Sequence, residues 1–183
     1  MERNEPVLRL FFALWPDAAG RAALAAWQPP LHALCGGRVM RPDTLHATLV
    51  FLGDVAGHRL EALRLAAQET GFRSFGLNFA RARYWEHNHI VYAAPEAPPA
   101  ALYELVDTLE RNLRRHHFHF DARAYQPHVT LLRHAKWGDA QLPPMPPVCW
   151  QVSRFALVQS LREADGARYR VLARFNASEL RKR

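Results

Sequence analysis

The sequence predicts a mixed α and β molecule built as a pseudo-twofold duplication around a central cleft. Three observations carry that reading. Strand and helix signals alternate through the 183 residues. A weak repeat appears when the chain is shifted by 82 positions, the distance from His46 to His128. Each copy of that repeat carries the same tetrad, His46-Ala47-Thr48-Leu49 and His128-Val129-Thr130-Leu131. Apolar coincidences are cheap, because any two strand–helix–strand units look alike. A repeated His-x-Thr-Leu is not, and it puts both tetrads on one shared cleft.

Val7–Leu14 reads as a mostly buried strand. Trp15-Pro16-Asp17 stops it, and Asp17 can cap the helix that follows. Leu24, Trp27 and Leu31 give that helix its apolar face, and Pro29-Pro30 should end or bend it. Arg41-Pro42-Asp43 is a turn, and His46–Leu52 a second strand closed by Gly53-Asp54. A helix over His58–Gln68 presents Leu60, Leu63 and Ala67 on one side. Strand signals return at Phe75–Ala80 and Ile90–Ala93. Pro98-Pro99 opens a longer helix bearing Leu102, Leu105, Val106, Leu109 and Leu113. Val129–Leu132 is a strand, and Pro143–Pro147 a stiff connection. Strands near Phe155–Ser160 and Tyr169–Phe175 form a hairpin turning at Asp165-Gly166. Under the shift, Leu8 falls on Ile90, Pro16 on Pro98 and Arg41 on Arg123.

Length and composition bound the rest. The chain is one domain over residues 1–183, with 49% hydrophobic and 22% charged residues. That composition excludes a disordered tail, a collagen-like fibre and a disulfide scaffold. No apolar run approaches the roughly 20 residues needed to cross a bilayer. The polar start, Met1 to Glu5, lacks a signal-type core, and a cytoplasmic monomer is the expectation. The two cysteines, Cys35 and Cys149, read as reduced core residues and not as a bridge. The net charge is +7, almost all of it arginine, which suits a polyanionic partner such as nucleic acid.

Chemistry converges on the tetrads. Side chains on a strand alternate between faces. Ala47/Leu49 and Val129/Leu131 therefore anchor each strand, while an imidazole and a hydroxyl face the other way. Displacement at phosphorus needs a base for the nucleophile and an acid for the leaving oxygen. Two histidines can supply both near neutral pH. Two threonine hydroxyls can donate to the non-bridging oxygens. Nothing in that scheme requires a metal or other cofactor. A single His-x-Thr on a strand is usually a satisfied polar residue beside a good strand former; the duplicated pair is the signal.

In these contexts the two tetrads resemble the signature motifs of the two-histidine phosphoesterases. The closer resemblance is to the bacterial and archaeal RNA 2′,3′-cyclic phosphodiesterases, also called 2′-5′ RNA ligases. Arg9–Leu14, Leu45–Gly53, Pro127–Arg133 and Leu157–Ser160 extend it over nearly the whole chain. The resemblance implies a bilobal α+β fold with two facing antiparallel sheets and helices packed outside. It implies hydrolysis of RNA 2′,3′-cyclic phosphate ends to 2′-phosphates, with a weak reverse 2′-5′ ligation. It makes His46 the proton donor and His128 the acceptor, with Thr48 and Thr130 on the phosphate. Arg133 matches a phosphate-binding arginine, although strand parity puts it opposite His128 unless a bulge intervenes. Phe12 matches an aromatic cleft position, against a plain core role. The substrates implied are RNA 3′ ends or small cyclic-phosphate nucleotides. The alternatives are a phosphodiesterase for a small cyclic nucleotide or 2′-5′ oligonucleotide, and an idle RNA-binding module.

Weaker candidates stand beside these. His116-His117-Phe118-His119 and His87-Asn88-His89 lack a Cys or carboxylate to complete a familiar metal spacing. A solvated basic helix end with Arg114 and Arg115 explains the first. Tyr84-Trp85 reads as a hairpin or core pair, with a base-stacking platform as the other possibility.

Overall fold

The computed structural model describes residues 5–138 and 141–178. The elements run β1 (Val7–Leu14), α1 (Ala18–Ala25), α2 (Gln28–Cys35), β2 (Arg38–Val39), β3 (Ala47–Ala56), α3 (Leu60–Gln68), β4 (Phe75–Trp85), β5 (Ile90–Pro95), α4 (Ala100–Arg115), β6 (Val129–Arg133), β7 (Val148–Val152), β8 (Arg154–Glu163) and β9 (Gly166–Asn176). They form an α+β structure with two antiparallel sheets, ordered β3-β1-β8-β9 and β2-β6-β5-β4-β7.

Most predicted elements are present, with instructive differences. Asp17 caps α1, its Oδ1 accepting from the Gly20 N–H at 2.7 Å. Pro29-Pro30 do not end a helix but open a second one, α2, where a first-turn proline removes no helical hydrogen bond. Two strands absent from the sequence reading, β2 and β7, extend the second sheet at its two edges. In β7, Val148, Trp150 and Val152 are buried, while Cys149 is exposed and only Cys35 lies in the core. The β8–β9 turn centres on Ala164-Asp165, because Glu163 already pairs with Gly166. Among the described residues no helix is long and apolar enough to cross a membrane.

The repeat is visible as two matching triplets of strands, β3-β1-β8 and β6-β5-β4. Each half of the chain gives its third strand away: β4 completes the sheet of β5 and β6, and β8 completes that of β1 and β3. The helices cross over as well. The pair α1 and α2 packs against β7, β6 and β2, while α3 and α4 pack against β9 and β3. Their apolar faces join one continuous core containing Leu24, Trp27, Leu63, Leu105 and Leu109.

Candidate active site

The tetrads enter β3 and β6 in the same way. Ala47 and Leu49 are buried on the core side of β3, and Val129 and Leu131 on that of β6. His46 and Thr48, with His128 and Thr130, line a single cavity of about 270 Å³. His46 Nδ1 lies 2.7 Å from the Thr44 carbonyl, and His128 Nδ1 lies 2.8 Å from the Gln126 carbonyl. A carbonyl only accepts, so each Nδ1 carries the hydrogen and each Nε2 is left for chemistry. The Thr48 hydroxyl sits 3.1 Å from His46 Nε2 and donates to it.

Both imidazoles are shielded by rings. The Trp15 ring stacks on His46 at 5.0 Å and an interplanar angle of 6°. Phe11 and Tyr169 close on the same imidazole, each at 5.1 Å. His128 meets the edges of Trp85 at 4.7 Å and Tyr92 at 5.7 Å. Burial disfavours the cation, so His46 is pushed down to about 4, with the charges of His128 and Arg133 adding to the effect against the Thr44 carbonyl. His128 is lowered too, by burial first and then by Arg133, against the Gln126 carbonyl.

Arg133 joins the cavity because of a bulge. On β5, Tyr92 pairs with Thr130 and Val91 with Leu132, so Leu131 is the extra residue. Leu131 and Leu132 are both buried, and the parity resets so that Arg133 faces the same side as Thr130. The first half repeats the device, with Ala13 paired to Thr48, Phe12 to Val50, and Leu49 extra. The true strand equivalence is thus Ala13 with Tyr92, three residues short of the His46-to-His128 offset. The place of Arg133 is taken there by Phe51, with the Arg9 guanidinium 4.8 Å above its ring.

Phe12 does not line the cleft. It is fully buried on the core face of β1, beside Phe155 and Phe175. Phe11 holds the cleft position, because alternation sends neighbours on a strand to opposite faces. The residues the sequence reading missed are Phe11, Trp15, Tyr169 and Arg9; nothing local marks them, since each is a common strand or strand-end residue. The Tyr84 hydroxyl bonds His89 Nδ1 and the Ala135 carbonyl, each at 3.0 Å, which is a hairpin role, whereas Trp85 faces His128. Among the described residues no three His, Cys, Asp or Glu side chains are placed to hold a metal ion; His116 instead pairs with Glu69 at 2.9 Å.

A sequence profile of the LigT like phosphoesterase family matches residues 14–92 and, a second time, residues 93–169. The chain belongs to that family. Each match contains one His-x-Thr tetrad and one of the exchanged strands, β4 or β8. This phosphoesterase is 32% identical over 169 residues to the RNA 2′,3′-cyclic phosphodiesterase of Escherichia coli (strain K12), covering 91% of this chain and 95% of that protein. It is 31% identical to the RNA 2′,3′-cyclic phosphodiesterase of Thermus thermophilus, covering 92% and 90%. Its fold superposes on the crystal structure of Escherichia coli LigT complexed with 3′-AMP with a TM-score of 0.84, at 30% identity, over 95% of this chain and all of that one.

Proposed function

We propose that this LigT like phosphoesterase hydrolyses RNA 2′,3′-cyclic phosphate ends to 2′-phosphates. The observation that carries the reading is the pair of imidazoles in one cavity, each with Nδ1–H tied to a carbonyl and Nε2 left for proton transfer. Water attacks phosphorus, giving its proton to His128 Nε2, and the P–O3′ bond breaks as His46 Nε2–H protonates the 3′ oxygen. Thr48, Thr130 and Arg133 hold the non-bridging oxygens. With a 5′-hydroxyl in place of water as the nucleophile, its proton passing to His128 and the P–O3′ bond breaking as His46 protonates the 3′ oxygen, the same steps open the cyclic phosphate into a 2′-5′ linkage, a weak ligation. Both halves of the cleft come from one chain, which supports a single working domain and a monomer acting on RNA ends. The test is to incubate the protein with an oligoribonucleotide ending in a 2′,3′-cyclic phosphate and identify the product isomer. A 2′-phosphate is expected; a 3′-phosphate or no product overturns the assignment.

Two further outcomes follow from the site. Thr48→Val and Thr130→Val should each lower kcat by about 10–10³, the range for one lost transition-state hydrogen bond. Unchanged kcat with raised KM would mean that the hydroxyls bind ground state and transition state alike.

The pH dependence has a definite sign. The donor must be protonated, and burial lets His46 hold a proton only in acid, at about 4 in the free protein. The acceptor must be neutral, and His128 is also lowered. Both limbs of kcat/KM, which reports the free protein, therefore lie below 6.5, as macroscopic values of the pair. A bound phosphate anion favours the imidazolium, so the alkaline limb of kcat should sit higher than that of kcat/KM. A kcat/KM maximum above pH 7 would overturn the proton assignment.

A further inference from the structure

The cavity holding the two histidines opens into a second one of about 410 Å³, and Arg133 and Tyr169 line both. The second cavity lies under the edge strand β2, where Arg38 is the direct antiparallel partner of Arg133. Residues paired in this way project from the same face with their Cβ atoms about 5 Å apart, and like charges in that arrangement repel. Among the described residues, neither Arg38 nor Arg133 makes an ion pair. The neighbouring Arg41 differs, since Asp43 lies 3.1 Å and Asp165 3.7 Å from its guanidinium. The Arg38 guanidinium reaches from the second sheet to Gly166, at the β8–β9 turn of the first, and both residues line this second cavity. Two strand-paired arginines, neither with an ion pair among the described residues, are arranged for two successive anionic groups.

We propose that Arg38 binds the internucleotide phosphate immediately 5′ of the terminal phosphate held by Arg133, so that the site selects an RNA strand over a mononucleotide. This assignment rests on the function proposed above. The other groove leading from the site, past Trp85, is a poorer route for a polyanion. Its carboxylates Glu110 and Asp121 pair with Arg114 and Arg123, so among the described residues the one arginine lining it without an ion pair is Arg133, which already holds the terminal phosphate. A strand leaving through the Arg38 cavity places its first phosphodiester beside Arg38, the one arginine of that cavity that has neither a carboxylate partner among the described residues nor a role in the reacting site.

The test compares binding of the diribonucleotide ApA 3′-phosphate with that of 3′-AMP, for the wild type, Arg38→Ala and Arg38→Lys. Arg38→Ala should weaken the dinucleotide by about 10–100-fold, the range for a hydrogen bond between charged groups. It should leave 3′-AMP unchanged. The slope of log K against log salt should fall by about 0.7 for the dinucleotide only, and Arg38→Lys should restore it. Equal losses on both ligands, or no loss on either, would overturn the proposal. Binding does not depend on turnover, so the two claims separate. If the wild type binds both ligands with the expected difference but hydrolyses neither matching cyclic phosphate, the activity is refuted and the Arg38 subsite stands.

Discussion

His46→Ala and His128→Ala should each lower kcat by about 10²–10⁴, the usual contribution of a positioned acid or base. Each Nε2 faces the cavity while Nδ1 is committed to a backbone carbonyl, so no other group can take over the proton transfer from the same place. The double variant should fall far short of the product of the two effects, because acid and base act on one transition state. The residual activities should differ in shape. Losing the donor removes the alkaline limb of kcat/KM, and losing the acceptor removes the acid limb. Single-turnover rates across pH would read both signatures. Near-normal turnover in either single variant would refute the two-histidine assignment, and exchanged limbs would swap the two roles.

Phe12→Ala should cost about 3–5 kcal/mol of stability, the range for truncating a buried phenylalanine. For a domain of this size that lowers the melting temperature by roughly 6–20 °C. The ring is fully buried, its centroid 6.0 Å from that of Phe155 and 6.3 Å from that of Phe175, so truncation leaves a hole in the core face of the first sheet. Phe11→Ala should act differently. Phe11 shields His46, so its loss lets water reach the imidazole and raises the pH at which His46 gives up its proton. The alkaline limb of kcat/KM should then move up. Thermal unfolding and pH profiles of the two variants, measured together, check the assignment of faces along β1. A melting loss confined to Phe11→Ala would reverse it.

That assignment marks the limit of sequence reading here. The tetrads were legible because β3 and β6 are two-faced: small or branched apolar residues on one side, an imidazole and a hydroxyl on the other. β1 carries large apolar residues on both faces, one packed in the core and one forming the floor of the cleft, so alternation cannot tell Phe11 from Phe12. The position of Arg133 turned on a bulge at Leu131, which is a property of pairing with β5 and leaves no mark in β6 itself. The rings around the histidines come from β1, the segment after it, β4, β5 and β9, and only the fold gathers them. Arg38 sits in a two-residue edge strand too short for any periodic signal.

The exchange of third strands dictates an order of assembly during synthesis. β4 and β5 are joined by a short turn and pair as soon as both have left the ribosome, and β6 adds to them soon afterwards. β1 emerges first, yet one of its edges stays unpaired until β8 arrives near the other end of the chain. Such long-range pairing forms slowly, and an open strand edge is a template for association with other chains. The nascent protein therefore carries the His46 half as a lone two-stranded ribbon from the completion of β3 at Ala56 until β8 begins at Arg154, whereas β4, β5 and β6 are all made by Arg133. Catalytic competence arrives only with the last strands, and premature termination before β8 yields a sticky fragment with no working cleft.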